Sequence, residues 1–150
     1  MRLSANFFSI LLLVALLALQ GCASVPMASM NEDASAKEFK PDPDKANIYV
    51  YRNENFGSAI TMTVSLDGRV AGQSGPKTYF LLQAQPGEHE VGSIAENSVS
   101  LKLKTEAGKA YYVWQEVKMG LWMARSALHE VDEETARKAI VECKRAQAAF

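Results

Sequence analysis

Two cysteines and two histidines are the only thiols and imidazoles in 150 residues. So few exclude a disulfide framework and leave no His/Cys cluster at metal-ligand spacing. Charge of one sign is lacking too, since 16 Lys and Arg stand against 17 Asp and Glu. With no basic stripe to neutralise phosphates, nucleic acid is not an expected partner. No charge run marks an acidic or basic tail, and no internal repeat is present. Gly68, Gly72 and Gly75 do not form a phosphate-binding fingerprint, because no strand-to-helix junction accompanies them. What is there is 48% hydrophobic and 22% charged, the make-up of a folded chain.

The apolar residues are concentrated at the start. Met1-Arg2 supplies a positive charge, and Phe7 to Leu19 is apolar except for Ser9. This is the pattern of a secretory signal peptide, and it falls short of the roughly 20 apolar residues that a permanent span needs. Leu19-Gln20-Gly21-Cys22 follows. It resembles the lipobox of bacterial lipoproteins, in which an aliphatic residue and two variable or small residues precede a cysteine. The resemblance implies that Leu19 and Gly21 are read by the signal peptidase, that the chain is cut before Cys22, and that Cys22 carries the lipid. Two or three acyl chains anchor firmly where one binds reversibly. Ala23, in place of an aspartate, points to the outer membrane with the protein facing the periplasm. A plain signal peptide with a cysteine nearby, or an uncleaved helical anchor, is the alternative.

The expected organisation is therefore a cleaved signal peptide at 1–21, a lipidated cysteine and flexible tether at 22–45, and a folded domain at 46–150. The tether is rich in Ala, Ser, Met, Asp and Lys, and Pro26, Pro41 and Pro43 oppose regular structure. Its r.m.s. reach would be about 25 Å.

Within the domain, Ile48 to Arg52 is β-branched and aromatic, a strand. Met62, Val64 and Leu66 alternate with threonine and serine, as in a half-buried strand. Asp67-Gly68 is a type I′ hairpin signal, and Arg69 to Gly72 is the return. Thr78 to Ala84 and Glu88 to Ala95 flank the Pro86-Gly87 turn; Val99, Leu101 and Leu103 mark another one-sided strand. Ala110 to Lys118 is the most aromatic strand, and Leu121 to Val131 reads as one more. Asp132 can cap a helix that places Ala136, Ala139, Ile140 and Cys143 on one face. The expected fold is mainly β: an antiparallel Ig-like or related sandwich of about seven strands with a C-terminal amphipathic helix.

Candidate chemistry is sparse. Glu88-His89-Glu90 has metal-ligand residue types, but strand alternation separates His89 from both glutamates, so no metal is expected. Ser126, His129 and Asp132 suggest a hydrolase triad, yet a strand sends Ser126 and His129 to opposite faces, and no nucleophile elbow surrounds Ser126. Glu133 and Glu134 suit a helix start. Cys143, left without a partner once Cys22 is acylated, reads as a small buried hydrophobe or as a reactive thiol. Trp114 and Trp122 are candidate contact-surface residues, with core packing as the plainer reading.

Several pieces together resemble an uncharacterised family of bacterial lipoproteins with a β-sandwich domain of unknown function. They are Ile48 to Arg52, Asp67-Gly68, Thr78-Tyr79-Phe80, Pro86-Gly87-Glu88-His89, Ala107 to Val113 and the acidic start of the last helix. The resemblance covers Ala46 to about Ala146 and implies fold and location, with no catalytic residue and no cofactor. The functional expectation is a non-catalytic binding or scaffolding module in the cell envelope. Its partners would be membrane lipid through Cys22 and an envelope protein. A small-molecule or peptide binder, a hydrolase of envelope polymers, and a structural lipoprotein bridging the membrane to another envelope layer are the alternatives.

Overall fold

In the computed structural model, which describes residues 24–121 and 124–150, the lack of a polar face on Ile48-Tyr49-Val50-Tyr51 has a direct cause. Strand β1 (Ala46–Arg52) is the middle of a five-stranded sheet and is buried at every position. The chain continues through β2 (Met62–Leu66), β3 (Arg69–Ser74), β4 (Thr78–Ala84), β5 (Gly87–Ile94) and β6 (Ser98–Thr105). Strands β7 (Ala110–Met119), β8 (Ala124–Glu130) and β9 (Lys144–Arg145) follow. Helix α1 (Met30–Ala36) precedes β1, and α2 (Glu133–Val141) lies between β8 and β9.

The fold is mainly β, with two sheets in the orders β8-β7-β1-β4-β9 and β3-β2-β5-β6. The expected sandwich with its C-terminal helix is what forms. Two pairings depart from a purely antiparallel arrangement: β1 runs parallel to β7, and β4 parallel to β9. The chain leaves the first sheet after β4, builds β5 and β6 in the second, and returns on the far side of β1 with the same direction. Asp67 and Gly68 both have positive φ, 51° and 77°, as the hairpin reading required.

Between the sheets lie Ile48, Val50, Val64, Phe80, Leu82, Val91, Leu103 and Val113. The other face of the five-stranded sheet carries an aromatic layer. Tyr49 stacks on Tyr112 at 5.3 Å between ring centroids and on Tyr79 at 6.2 Å, with Phe39 tilted against it at 5.4 Å. Both helices belong to this layer, through Ala36 of α1 and Ala136 and Ile140 of α2. Alternation along β7 holds as expected: Tyr112 and Trp114 face the helices, while Tyr111 and Val113 face the second sheet.

Residues 24–45 correct the tether expectation. Ser29 and Glu32 form a capping box at the start of α1, a motif contributing about 1 kcal/mol. The Tyr49 hydroxyl donates to the Ala36 carbonyl at 2.8 Å, and the Tyr79 hydroxyl to Asp33 Oδ1 at 2.9 Å. Val25 and Phe39 are both 8% exposed, and burying an aromatic ring of that size contributes about 1.5–3 kcal/mol. Met27 bridges to Ala146, and the Gln147 amide donates to the Pro26 carbonyl. The prolines sit outside α1, so they do not prevent it. Among the described residues, no helix is long and apolar enough to cross a membrane.

Candidate functional site

The two histidines sit on different sheets and serve different partners. His89, on β5, is gripped at both ring nitrogens: Nδ1 lies 2.7 Å from Asp67 Oδ2, and Nε2 lies 2.7 Å from the Gln85 carbonyl. Both partners are acceptors, so full satisfaction of the ring requires the imidazolium. Burial lowers the ring's pKa, but the Asp67 hydrogen bond and charge and the Gln85 carbonyl outweigh it, and the pKa stands above its ordinary value. Asp67 also accepts from the Glu90 amide, which ties the β2–β3 turn to β5. Glu88 and Glu90 flank His89 at exposed positions of β5. A shallow groove of about 350 Å³ here is lined by Asp67, His89, Lys102, Leu103 and Lys104 together with those glutamates. Its charges are mixed, and both nitrogens of its histidine are already engaged.

His129 projects from β8 toward Glu116 of β7, with Nε2 2.7 Å from Oε2, and its ring packs on Trp114 at 5.1 Å. Ser126 points the other way, into the sandwich. Its hydroxyl meets that of Ser93 at 2.5 Å; Gln115 Nε2 donates to Ser93 at 2.6 Å; and Ser74 reaches Gln115 Oε1 at 2.5 Å. This buried string crosses from sheet to sheet and fixes their relative placement, since each member satisfies the next. Asp132 caps α2 by accepting from the Thr135 amide. Ser126, His129 and Asp132 thus hold three separate structural posts. Among the described residues, no three His, Cys, Asp or Glu side chains gather where one metal ion could be held.

Trp114 is half-buried, and its indole N–H donates to Glu54 Oε1 at 3.2 Å. Cys143 is a free, buried thiol, and burial pushes its pKa up to about 12. Leu19, Gly21, Cys22 and Trp122 lie outside the described residues.

Two features escaped the sequence reading. Arg52 is completely buried at the end of β1, where its guanidinium donates to the carbonyls of Phe56, Gly57 and Ile60 at 3.0, 2.8 and 2.7 Å. A strand-end arginine ordinarily faces solvent, so composition gave no hint of this. The second is an apolar rim at the same end: Phe56, Met119 and Leu121 are 52%, 80% and 86% exposed. Beside it, a depression of about 350 Å³ is lined by Gly57, Ile60, Lys118 and Ala124 along with those three. Its signal was the apolar run interrupted only by Gly120, which reads as strand when burial is unknown.

Comparison with known proteins adds family but no activity. A curated protein from Haemophilus influenzae (strain ATCC 51907 / DSM 11121 / KW20 / Rd), described as an uncharacterized protein, is 39% identical over 129 residues, covering 85% of this chain and 76% of its own length. A family model described as "Protein of unknown function (DUF2846)" matches residues 42–127, from just before β1 into β8. That stretch holds both sheets apart from β9 and the end of β8, and the chain belongs to the DUF2846 family.

Proposed function

We propose that this protein is a lipid-anchored component of the bacterial cell envelope, cut before Cys22 and acylated there, whose domain works by binding or scaffolding and not by catalysis. The observation that carries the reading is the order of the N-terminal residues: a positive start, an apolar run ending at Leu19, and Leu19-Gln20-Gly21-Cys22 at its close. Ala23 favours the periplasmic leaflet of the outer membrane. The non-catalytic half is supported by the engagement of the side chains that a hydrolase reading would use: His89, His129 and Ser126 each serve a structural partner.

Mass spectrometry of the N-terminal peptide from the native protein tests the anchor. Acyl mass on an N-terminal Cys22 is expected, with Cys22→Ala shifting the protein from the membrane to the soluble fraction. An unmodified Cys22 in membrane-associated protein would sink it. Cross-linking co-purification tests the scaffold half: a specific envelope protein should be recovered with the anchored form and lost from Cys22→Ala. Recovery of lipid alone would turn the search to ligands of the domain itself.

A further inference from the structure

The ordered segment after residue 23 changes what an anchor at Cys22 does. Val25 is packed in the core beside Ala146 and Ala148. Only residues 23 and 24 then separate Cys22 from a fixed point, at most about 11 Å of extended chain. An acylated Cys22 would hold the domain against the membrane with no slack to lift it.

One end of the sandwich is suited to that position. Ser24 borders a depression with Pro76, Lys77, Thr78 and Lys144, residues of the β3–β4 turn and the starts of β4 and β9. Thr78 pairs with Arg52, so this is the end toward which β1 runs. Strand β7, parallel to β1, continues past its last pairing with it at Trp114 to Met119 at the same end. The apolar rim of Phe56, Met119 and Leu121 and the point where the described chain begins therefore share one end of the five-stranded sheet. They lie toward its opposite edges, β8 and β9.

Basic side chains stand beside both the apolar rim and the N-terminal segment. Arg125 and Lys144 are exposed. Lys118, the cross-strand partner of Arg125, shares Glu116 with His129. Of the acids at that end, Glu142 is paired with Lys77 at 2.8 Å, while Glu96 lies on the β5–β6 turn. Exposed apolar side chains flanked by basic residues are the composition that settles at a lipid–water interface.

We propose that the end bearing Phe56, Met119 and Leu121 lies on the lipid head-group surface that carries the anchor, so that the domain is held at one edge by acyl chains and at the other by this apolar tip. The inference rests on acylation of Cys22 as proposed above.

The test uses the native acylated protein in vesicles of phosphatidylethanolamine and phosphatidylglycerol. A polarity-sensitive fluorophore is attached through Leu121→Cys or, at the opposite end, Glu88→Cys, each in a Cys143→Ala background. At position 121 a blue-shifted emission, quenched by nitroxide-bearing lipid, is expected; at 88 the emission should stay water-like and unquenched. Adding Phe56→Ser and Met119→Ser should bring the quenching at 121 down toward the level at 88 while the acyl mass on Cys22 remains. A water-like signal at 121 on a protein whose acyl chains are intact would overturn the proposal and leave the anchor standing. A blue shift that appears without vesicles and grows with protein concentration would assign the tip to a second copy of the chain and also overturn it. Absence of acyl mass would defeat the anchor itself, and the N-terminal peptide reports this separately.

Discussion

Arg52 shows how one side chain can organise a loop. Its guanidinium is fully buried with three carbonyls of the β1–β2 loop as acceptors, while its Nε and Glu54 Oε2 are buried with no partner among the described residues. Burial lowers the arginine's pKa and the nearby Glu54 charge raises it; burial raises that of Glu54. Arg52→Met removes the donors and leaves the carbonyls behind, so a loss of about 2–4 kcal/mol is expected in urea unfolding. A loss below about 0.5 kcal/mol would mean the loop holds itself. Lysine would not substitute well, because one ammonium cannot span three acceptors set around a planar fork.

His89 makes stability depend on pH with a definite sign. Its folded pKa is raised, so its contribution is complete below the unfolded value of about 6.5 and is lost as pH rises through the folded value. For Asp67, burial raises the pKa but the Glu90 amide and His89 lower it further, to a net depression. Its contribution is present above the unfolded value of about 3.9 and is lost as pH falls through the folded one. The pair therefore supports the fold in the interval between, by about 1 kcal/mol or less given the exposure of Asp67. Urea titrations of wild type and His89→Gln should differ most in mildly acidic buffer and converge on the alkaline side; a gap that widens with alkalinity would refute the assignment. Cys143, with its pKa near 12 and 1% exposure, should react with an aromatic disulfide reagent at pH 8 only after denaturant is added. Prompt reaction of the folded protein would show an open path to the helix face.

At the scale of elements, α1 is the informative case. Ser29→Ala should cost about 1 kcal/mol through loss of the capping box. Removing residues 24–40 should cost several times that, because it also strips Phe39 and Ala36 from the tyrosine layer. Thermal melts of both variants check this, and a truncated domain as stable as the full one would restore the tether reading. The strands were largely legible, since Met62-Val64-Leu66 and Val99-Leu101-Leu103 alternate, and Asp67-Gly68 and Pro86-Gly87 announce their turns. Helix α1 was not legible: seven residues with a single buried side chain carry no amphipathic period, and what holds the helix is the hydroxyls of Tyr49 and Tyr79, distant in sequence. The parallel pairing of β1 with β7 was hidden for a similar reason, since strand order is decided by which edge remains free after β4. Of the candidate sites, the separation of Ser126 from His129 followed from alternation alone. The saturation of His89 by Asp67 and the Gln85 carbonyl needed the fold.

At the scale of the whole molecule, residues 144–150 form a clasp. Strand β9 extends the edge beside β4, the Gln147 amide meets the Pro26 carbonyl, the Ala149 amide meets the Ala71 carbonyl, and Arg69 lies over the Phe150 ring at 4.2 Å. The clasp thus spans both sheets and the N-terminal segment. Deleting residues 146–150 should lower Tm by several degrees, about 2–8 °C for each kcal/mol lost in a domain of this size, and should speed hydrogen exchange at the amides of Ala28 and β9. Unchanged exchange there would show that the N-terminal segment docks independently.

The clasp also imposes an order on biogenesis. Val25 shares its core cluster with Ala146, and β4 gains its outer neighbour only when Lys144 and Arg145 arrive. Pairings that join sequence positions so far apart close late, because the loop entropy must be met before the contacts reward it. A ribosome presenting residues 24–140 therefore presents an incomplete fold, with β9 absent from the edge beside β4 and residues 26–28 without their backbone bonds to residues 145–147. The last cross-strand pairing and the docking of the N-terminal segment then wait for residues 144–150.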